Sequence, residues 1–204
     1  MIDEIFALFE RFGSKRYGED ISLERHMLQS AAVAQSQGAS DCLVAAALLH
    51  DIGYFLDPAT QAIVREGRNS EHEALAALWL SQYFGEDVTC PVALHVEAKR
   101  YLCAAEPGYF EQLSEASRAS LTAQGGPMAA TETAGFEKSP YFAAAIALRR
   151  ADDLAKDPAM VTPPLEHFRA LLAVCLRNGM VRFSISTSLS APISAFIPFT
   201  KSKF

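Results

Sequence analysis

Apolar positions recur every three to four residues along most of the chain, and that period predicts helices rather than strands. Ile5, Phe6, Leu8, Phe9 and Phe12 share one helical face, and Gly13 follows as a stop signal. A polar link, SKRYGED, leads to a second helix expected over 22–38. Asp41–Leu49 is almost wholly apolar (CLVAAALL) and predicts a helix at the centre of the fold. It runs straight into His50-Asp51 and is broken by Gly53 and Pro58. Ser70-Glu71-His72-Glu73 reads as a capping box, opening a helix that continues to Tyr83. Further helices are expected over 91–100, 109–123, 140–156 and 163–176, with a firm turn at Gly125-Gly126-Pro127.

Composition sharpens this picture. Alanine is abundant, and strand-favouring residues are sparse until the end of the chain, so the expected class is all-α. The 204 residues suffice for one domain with a real core, assigned here to 1–178. Residues 179–204 differ in kind: rich in Ser, Phe and Ile and without an acidic residue, they form a C-terminal extension of unclear structure. The net charge of −6, with no basic stripe, argues against a nucleic-acid partner. No apolar run approaches the ~20 residues of a membrane span, and the acidic, amphipathic N-terminus is no signal peptide, so a cytoplasmic protein is expected. Cys42, Cys90, Cys103 and Cys175 form no CxxC pair and are expected to be buried thiols, not disulfides or zinc ligands.

The chain has five histidines, and four of them fall where metal ligands would be wanted. His26 lies on the second helix, His50 ends the third, His72 opens the next, and His95 sits on the one after. Apolar neighbours turn each of them inward. Adjacent helical residues point ~100° apart, so His50 and Asp51 can both reach a metal only where the helix end abuts the site. Asp51 could then bridge two ions. Asp152, in the alanine-rich segment LRRADDLAK, needs solvent or a partner and makes a sixth candidate. Histidines with carboxylates suit Fe, Mn or Zn, whereas an all-oxygen set would suit Mg or Ca. An HD dipeptide alone is a weak signal; the ordered series H…HD…H…H…D, each member on its own predicted helix, is a strong one. The fifth, His167, reads as an ordinary surface or core residue.

That series resembles the HD-domain superfamily and, more narrowly, its six-ligand, two-metal branch. Segments LERHMLQSA, AALLHDIGY, SEHEALAALWL, ALHVEAKRYL, LSEASRASLTAQGGPM and LRRADDLAK resemble the mixed-valent diiron oxygenases that cleave the carbon–phosphorus bond of 1-hydroxy-2-aminoethylphosphonates and their trimethylammonio relatives. HVEAKRYL and AQGGPM carry the most weight, because general HD hydrolases do not share them. The resemblance implies an Fe(2+)/Fe(3+) pair in each subunit. His26, His50 and Asp152 would hold one iron, His72 and His95 the other, and Asp51 would bridge. The substrate would chelate one iron while O2 engages the other, and oxidation at C1 would release phosphate and an amino acid.

The same resemblance carries over substrate contacts. Lys99, Ser117 and Arg149 would hold the phosphonate, and Gln124 with the Gly125-Gly126 turn would shape the pocket. Glu19 would face the substrate nitrogen, and Tyr17 would occupy an iron site until substrate arrives, although its spacing to Glu19 is one residue short of the family pattern. The aminoethyl version of the family has HD-x-G-H, whereas this chain reads His50-Asp51-Ile52-Gly53-Tyr54. A primary ammonium wants several acceptors, while a trimethylated nitrogen prefers carboxylate charge and aromatic faces. Tyr54 therefore points to an N-methylated substrate that yields glycine betaine. The expected partners are a small phosphonate and O2, with the oligomeric state open. The alternative is a metal-dependent HD phosphohydrolase acting on a nucleotide or phosphate ester. It would need neither His72 nor His95 in this arrangement.

Overall fold

The apolar run expected at the centre forms α3 (Asp41–Leu49), and every residue from 44 to 49 is at most 1% exposed. Its alanines let neighbouring helices approach closely, while Leu48 and Leu49 fill the gaps. Burying each leucine contributes about 1.5–3 kcal/mol. In the computed structural model, which describes residues 1–16, 20–57 and 59–177, four helices pack on α3: α2 (Leu23–Ser36), α7 (Glu86–Ala105), α11 (Phe142–Leu154) and α12 (Arg169–Cys175). α7 and α11 also pack on each other, and α2 packs on α11. Among the described residues the only β-type pairing is an isolated bridge between Phe84 and Leu176. The fold is thus an all-α bundle.

Shorter helices complete it. α1 (Ile2–Phe12) turns Ile5 and Phe9 inward, and Phe9 meets Phe55 of α4 (Gly53–Leu56) edge-on at 5.3 Å. α5 (Ala59–Arg65) follows, and α6 (His72–Leu80) packs on α7 and α4. α8 (Tyr109–Gln112), α9 (Glu115–Ala123) and α10 (Ala130–Phe136) lie between α7 and α11 in sequence. A 3-10 turn (Leu165–Phe168) leads into α12. Ser22, Ser40 and Ser114 cap α2, α3 and α9 by accepting from the backbone N–H three residues on.

Several sequence expectations need correction. Ser70 caps nothing: α6 starts at His72 after Glu71, which adopts a left-handed conformation (φ 50°), and the Ser70 hydroxyl lies 3.3 Å from His72 Nδ1 instead. α7 begins five residues before Pro91, which sits inside it. An interior proline costs about 3 kcal/mol, but the helix start buries Val88 and Val92 beside Phe84, each worth about 1.5–3 kcal/mol. The helix expected over 109–123 is interrupted at Leu113-Ser114, because Ser114 spends its hydroxyl on capping α9. α4, α5 and α10 were not foreseen. Of the four thiols, all free, only Cys175 is buried; the other three are half-buried. Gly125 and Gly126 do form the expected turn, both with positive φ (98° and 72°). The extension assigned to 179–204 lies outside the described residues.

Candidate metal centre and substrate cavity

Five of the bundle's segments deliver the six proposed ligands to one point. His26 comes from the first turns of α2, His50 caps the C-terminus of α3, and Asp51 follows in the turn. His72 is the first residue of α6, His95 lies mid-way along α7, and Asp152 is in the last turn of α11. All six are buried. The helix end does abut the site, as the His50-Asp51 pair requires.

The Asp51 carboxylate divides the ligands into two sets. Its Oδ2 lies 3.5 Å from His50 Nε2 and 3.6 Å from His26 Nε2. Its Oδ1 lies 3.2 Å from His72 Nε2 and 3.9 Å from His95 Nε2. Asp152 Oδ1 joins the first set, 3.2 Å from His26 Nε2. Two metal-competent triads therefore share Asp51: His26-His50-Asp51 and Asp51-His72-His95.

Proton positions explain why these groups fit a metal. His26, His50 and His95 each place Nδ1 2.8 Å from a backbone carbonyl, of Ala155, Ala47 and Val92 respectively. Those contacts require Nδ1–H, so the neutral rings present bare Nε2 lone pairs. Yet His26 Nε2 and His50 Nε2 are 3.2 Å apart, as are His72 Nε2 and His95 Nε2. Lone pairs that close repel unless a cation sits between them. The donor set, four imidazoles with two carboxylates, matches borderline transition metals.

Local electrostatics keep the two carboxylates ready for a cation. Burial would raise the Asp51 carboxyl, but the imidazoles of His50, His72 and His26 outweigh it and hold the carboxyl far below its usual range. Burial also opposes ionisation of Asp152, and Arg149 with His26 overrides it. Both carboxylates thus stay charged. Burial pushes His50 and His95 down. It pushes on His26 and His72 as well, but there Asp152 and Asp51 respectively win and raise the rings.

The packing behind the ligands is specific. Arg25 Nη2 donates to the Pro158 carbonyl at 2.7 Å, and Gln29 exchanges two hydrogen bonds with the Asp157 backbone. These contacts tie α2 to the segment after α11, so His26 and Asp152 hold a fixed relation. On the other side, Gly53 is required by close approach: a Cβ there would lie 2.1 Å from the His72 carbonyl oxygen. Tyr54 then stacks on the His72 ring, centroids 4.2 Å apart and planes 13° from parallel.

A cavity of about 380 Å³ opens above the ligands, a size usual for small-molecule sites. Lys99, Ser117, Gln124, Arg149 and Tyr54 all line it, as the sequence led us to expect. Tyr17 and Glu19 lie outside the described residues. Sequence reasoning missed Lys156 and Ser120, which line it too. Lys156 Nζ donates to Ser117 Oγ at 2.7 Å, and Lys99 Nζ donates to Ser120 Oγ at 2.7 Å. The spacing could have found Ser120, one turn beyond Ser117 on α9; Lys156 follows the end of α11 and reaches Ser117 only through the fold. Arg149 is fully enclosed and bonds Asp152 at 2.7 Å, with Asp153 and Tyr109 as its other partners. Burial, with the Arg149 and Lys156 charges nearby, lowers the Lys99 ammonium to about 7. Arg149 is already paired with two carboxylates, so Lys99 and Lys156 are the charges this wall turns towards an anion.

The buried His/Asp groups beneath this cavity could hold metal ions, and the HD-domain model matches residues 19–157: the chain belongs to the HD-domain family. Within it, the chain is 41% identical over 173 residues to the 1-hydroxy-2-(trimethylamino)ethylphosphonate dioxygenase (glycine-betaine-forming) of Leisingera caerulea, covering 84% of this chain and 88% of that one. It is 38% identical over 179 residues to the hydroxymethylphosphonate dioxygenase of Gimesia maris, covering 87% of this chain and 89% of that one. These relatives put it on the oxygenase branch of the family. No helix among the described residues is long and apolar enough to cross a membrane.

Proposed function

We propose that this chain is a dioxygenase that cleaves the carbon–phosphorus bond of a small 1-hydroxyphosphonate at a two-iron centre. The observation that carries the reading is the pair of ligand triads joined through Asp51 beneath a cavity lined by Lys99, Arg149 and Lys156. A simpler HD phosphohydrolase needs only His26, His50, Asp51 and Asp152, so His72 and His95 favour the oxygenase reading. The two curated relatives act on phosphonates with a hydroxyl next to phosphorus, one trimethylamino-substituted and one without a nitrogen substituent.

His26, His50 and Asp152 hold one iron, His72 and His95 the other, with Asp51 between. Iron, when bound, supplies the electron chemistry and the O2 affinity needed to break a C–H bond that side-chain acid–base chemistry cannot break. Lys99, Ser117, Arg149 and Lys156 bind and orient the phosphonate so that C1 faces the metals; cations and hydroxyls suit a doubly charged oxyanion. Gln124, whose Oε1 is buried without a hydrogen-bond partner, closes one wall of this pocket. Tyr54 offers an aromatic surface to a quaternary nitrogen, and Glu19 a countercharge. On this reading the preferred substrate is 1-hydroxy-2-(trimethylammonio)ethylphosphonate. Both atoms of O2 are incorporated, one on C1 and one on phosphorus. The oxidation of the substrate therefore balances the reduction of O2, with no external reductant.

The test is anaerobic iron reconstitution followed by admission of O2, with phosphate as the readout. Phosphate should appear from the hydroxyphosphonate only after oxygen enters, together with glycine betaine. Oxygen-independent phosphate release from nucleotides would instead establish a phosphohydrolase.

A further inference from the structure

The two halves of the centre are not equivalent in charge. Each half has two imidazoles and a share of Asp51, and the first half has the Asp152 carboxylate in addition. On ligand charge alone the second ion should be weakly held. The surroundings of His72 supply what is missing. Whereas the other three histidines set Nδ1 against backbone carbonyls, His72 Nδ1 meets side chains: Ser70 Oγ at 3.3 Å and Glu73 Oε2 at 3.2 Å. The hydroxyl has the better-aligned approach. The carboxylate oxygen lies beside it, buried, with no hydrogen-bond partner of its own. Glu97 of α7 stands within electrostatic reach of Glu73, and its Oε2 is likewise buried without a partner. A buried carboxylate oxygen thus lies against the one imidazole of the four whose outer nitrogen does not face the backbone.

Resting on the two-metal reading above, we infer that Glu73 is a positioning residue that acts through His72 to retain the second metal ion. Negative charge against Nδ1–H raises the donor strength of Nε2, and such outer partners typically govern metal affinity by about 10–100-fold. The first ion gains nothing comparable, since the Asp152 carboxylate is shared with Arg149. The Tyr54 stack and the close Gly53 contact keep the ring from turning away.

The experiment is anaerobic titration of the full chain with Mn(II), following free ion and the exchange-coupled EPR signal of a metal pair. Wild type should bind two ions. Glu73→Gln, which keeps the shape and removes the charge, should weaken the second by about 10–100-fold and leave the first unchanged. The coupled signal should fade, and Glu73→Asp should partly restore it. If Glu73→Gln does not fold, Glu73→Asp, which draws the carboxylate back from Nδ1, should weaken the same ion to a smaller extent. Second-ion affinity within twofold of wild type in Glu73→Gln, or in Glu73→Asp where Glu73→Gln does not fold, overturns the inference. Wild type that binds only one ion instead overturns the two-metal reading itself.

Discussion

Tyr54 lies flat on His72, the ring centroids 4.2 Å apart and the planes 13° from parallel. One side chain of the cavity wall is thereby coupled to one side chain of the metal centre. A phenol ring gives a quaternary ammonium an apolar, electron-rich surface but gives a primary ammonium few acceptors. Tyr54→His should therefore move the preference from the trimethylammonio to the amino substrate. A cation–π contact worth about 0.5–2 kcal/mol predicts a change of roughly 2- to 30-fold in the ratio of kcat/KM values. Parallel O2-dependent turnover of both phosphonates measures it. An unchanged ratio would remove Tyr54 from substrate selection.

Lys99 gives the reaction a pH signature. Burial and the neighbouring cations bring its ammonium down to about 7, so the free enzyme loses this charge as pH rises through neutrality. A phosphonate needs the charged form. We therefore expect kcat/KM to decline about tenfold per unit on the alkaline side of pH 7, and Lys99→Met to have low activity without that limb. The stability effect has the opposite sense. Between pH 7 and the ordinary value of 10.5 the unfolded chain binds more protons at this position than the folded one, so its contribution to stability rises with pH. The stability deficit of wild type against Lys99→Met, read by thermal denaturation, should shrink as pH rises across that window.

The two halves of the centre should be separable by mutation. His95→Ala removes a donor only from the set around Asp51 Oδ1, and His26→Ala only from the set around Asp51 Oδ2. Each variant should retain about one ion per chain in metal analysis, and each should lose O2-dependent turnover by at least a hundredfold. Two ions retained in His95→Ala would mean that this imidazole is no ligand.

Much of this site was legible in the sequence because its chemistry uses rare residues. Histidine is scarce here, and four of the five converge, so order along the chain was enough to name His26, His50, His72 and His95. The apolar run in α3 likewise announced its own burial. What escaped were residues whose role comes from tertiary placement. Lys156 reads as a solvated helix-end charge until the fold sets it on Ser117. Glu73 reads as half of a capping box until His72 is seen to draw both Ser70 and Glu73 towards its ring. Pro91 reads as a helix start until the burial of Val88 and Val92 outweighs the missing hydrogen bond.

Gly53 provides a test of how tightly the centre depends on packing alone. It carries no chemistry, yet an added methyl group would lie 2.1 Å from the His72 carbonyl oxygen, and backbone cannot swing aside as a side chain can. Gly53→Ala must push α4 and α6 apart, moving His72 and the stacked Tyr54 together. Overpacking of this kind costs about 1–3 kcal/mol, or roughly 2–12 °C in Tm for a chain of this size. The second metal ion should be lost preferentially, because its ligand is the one displaced. Gly135→Ala is the control: it lies within α10, nothing approaches its Cβ position, and the helix should be unchanged or gain about 0.5–1 kcal/mol. Differential scanning calorimetry with metal analysis on both variants distinguishes the outcomes. A Gly53→Ala protein with wild-type Tm and both ions would show that the α4–α6 contact does not hold His72 in place.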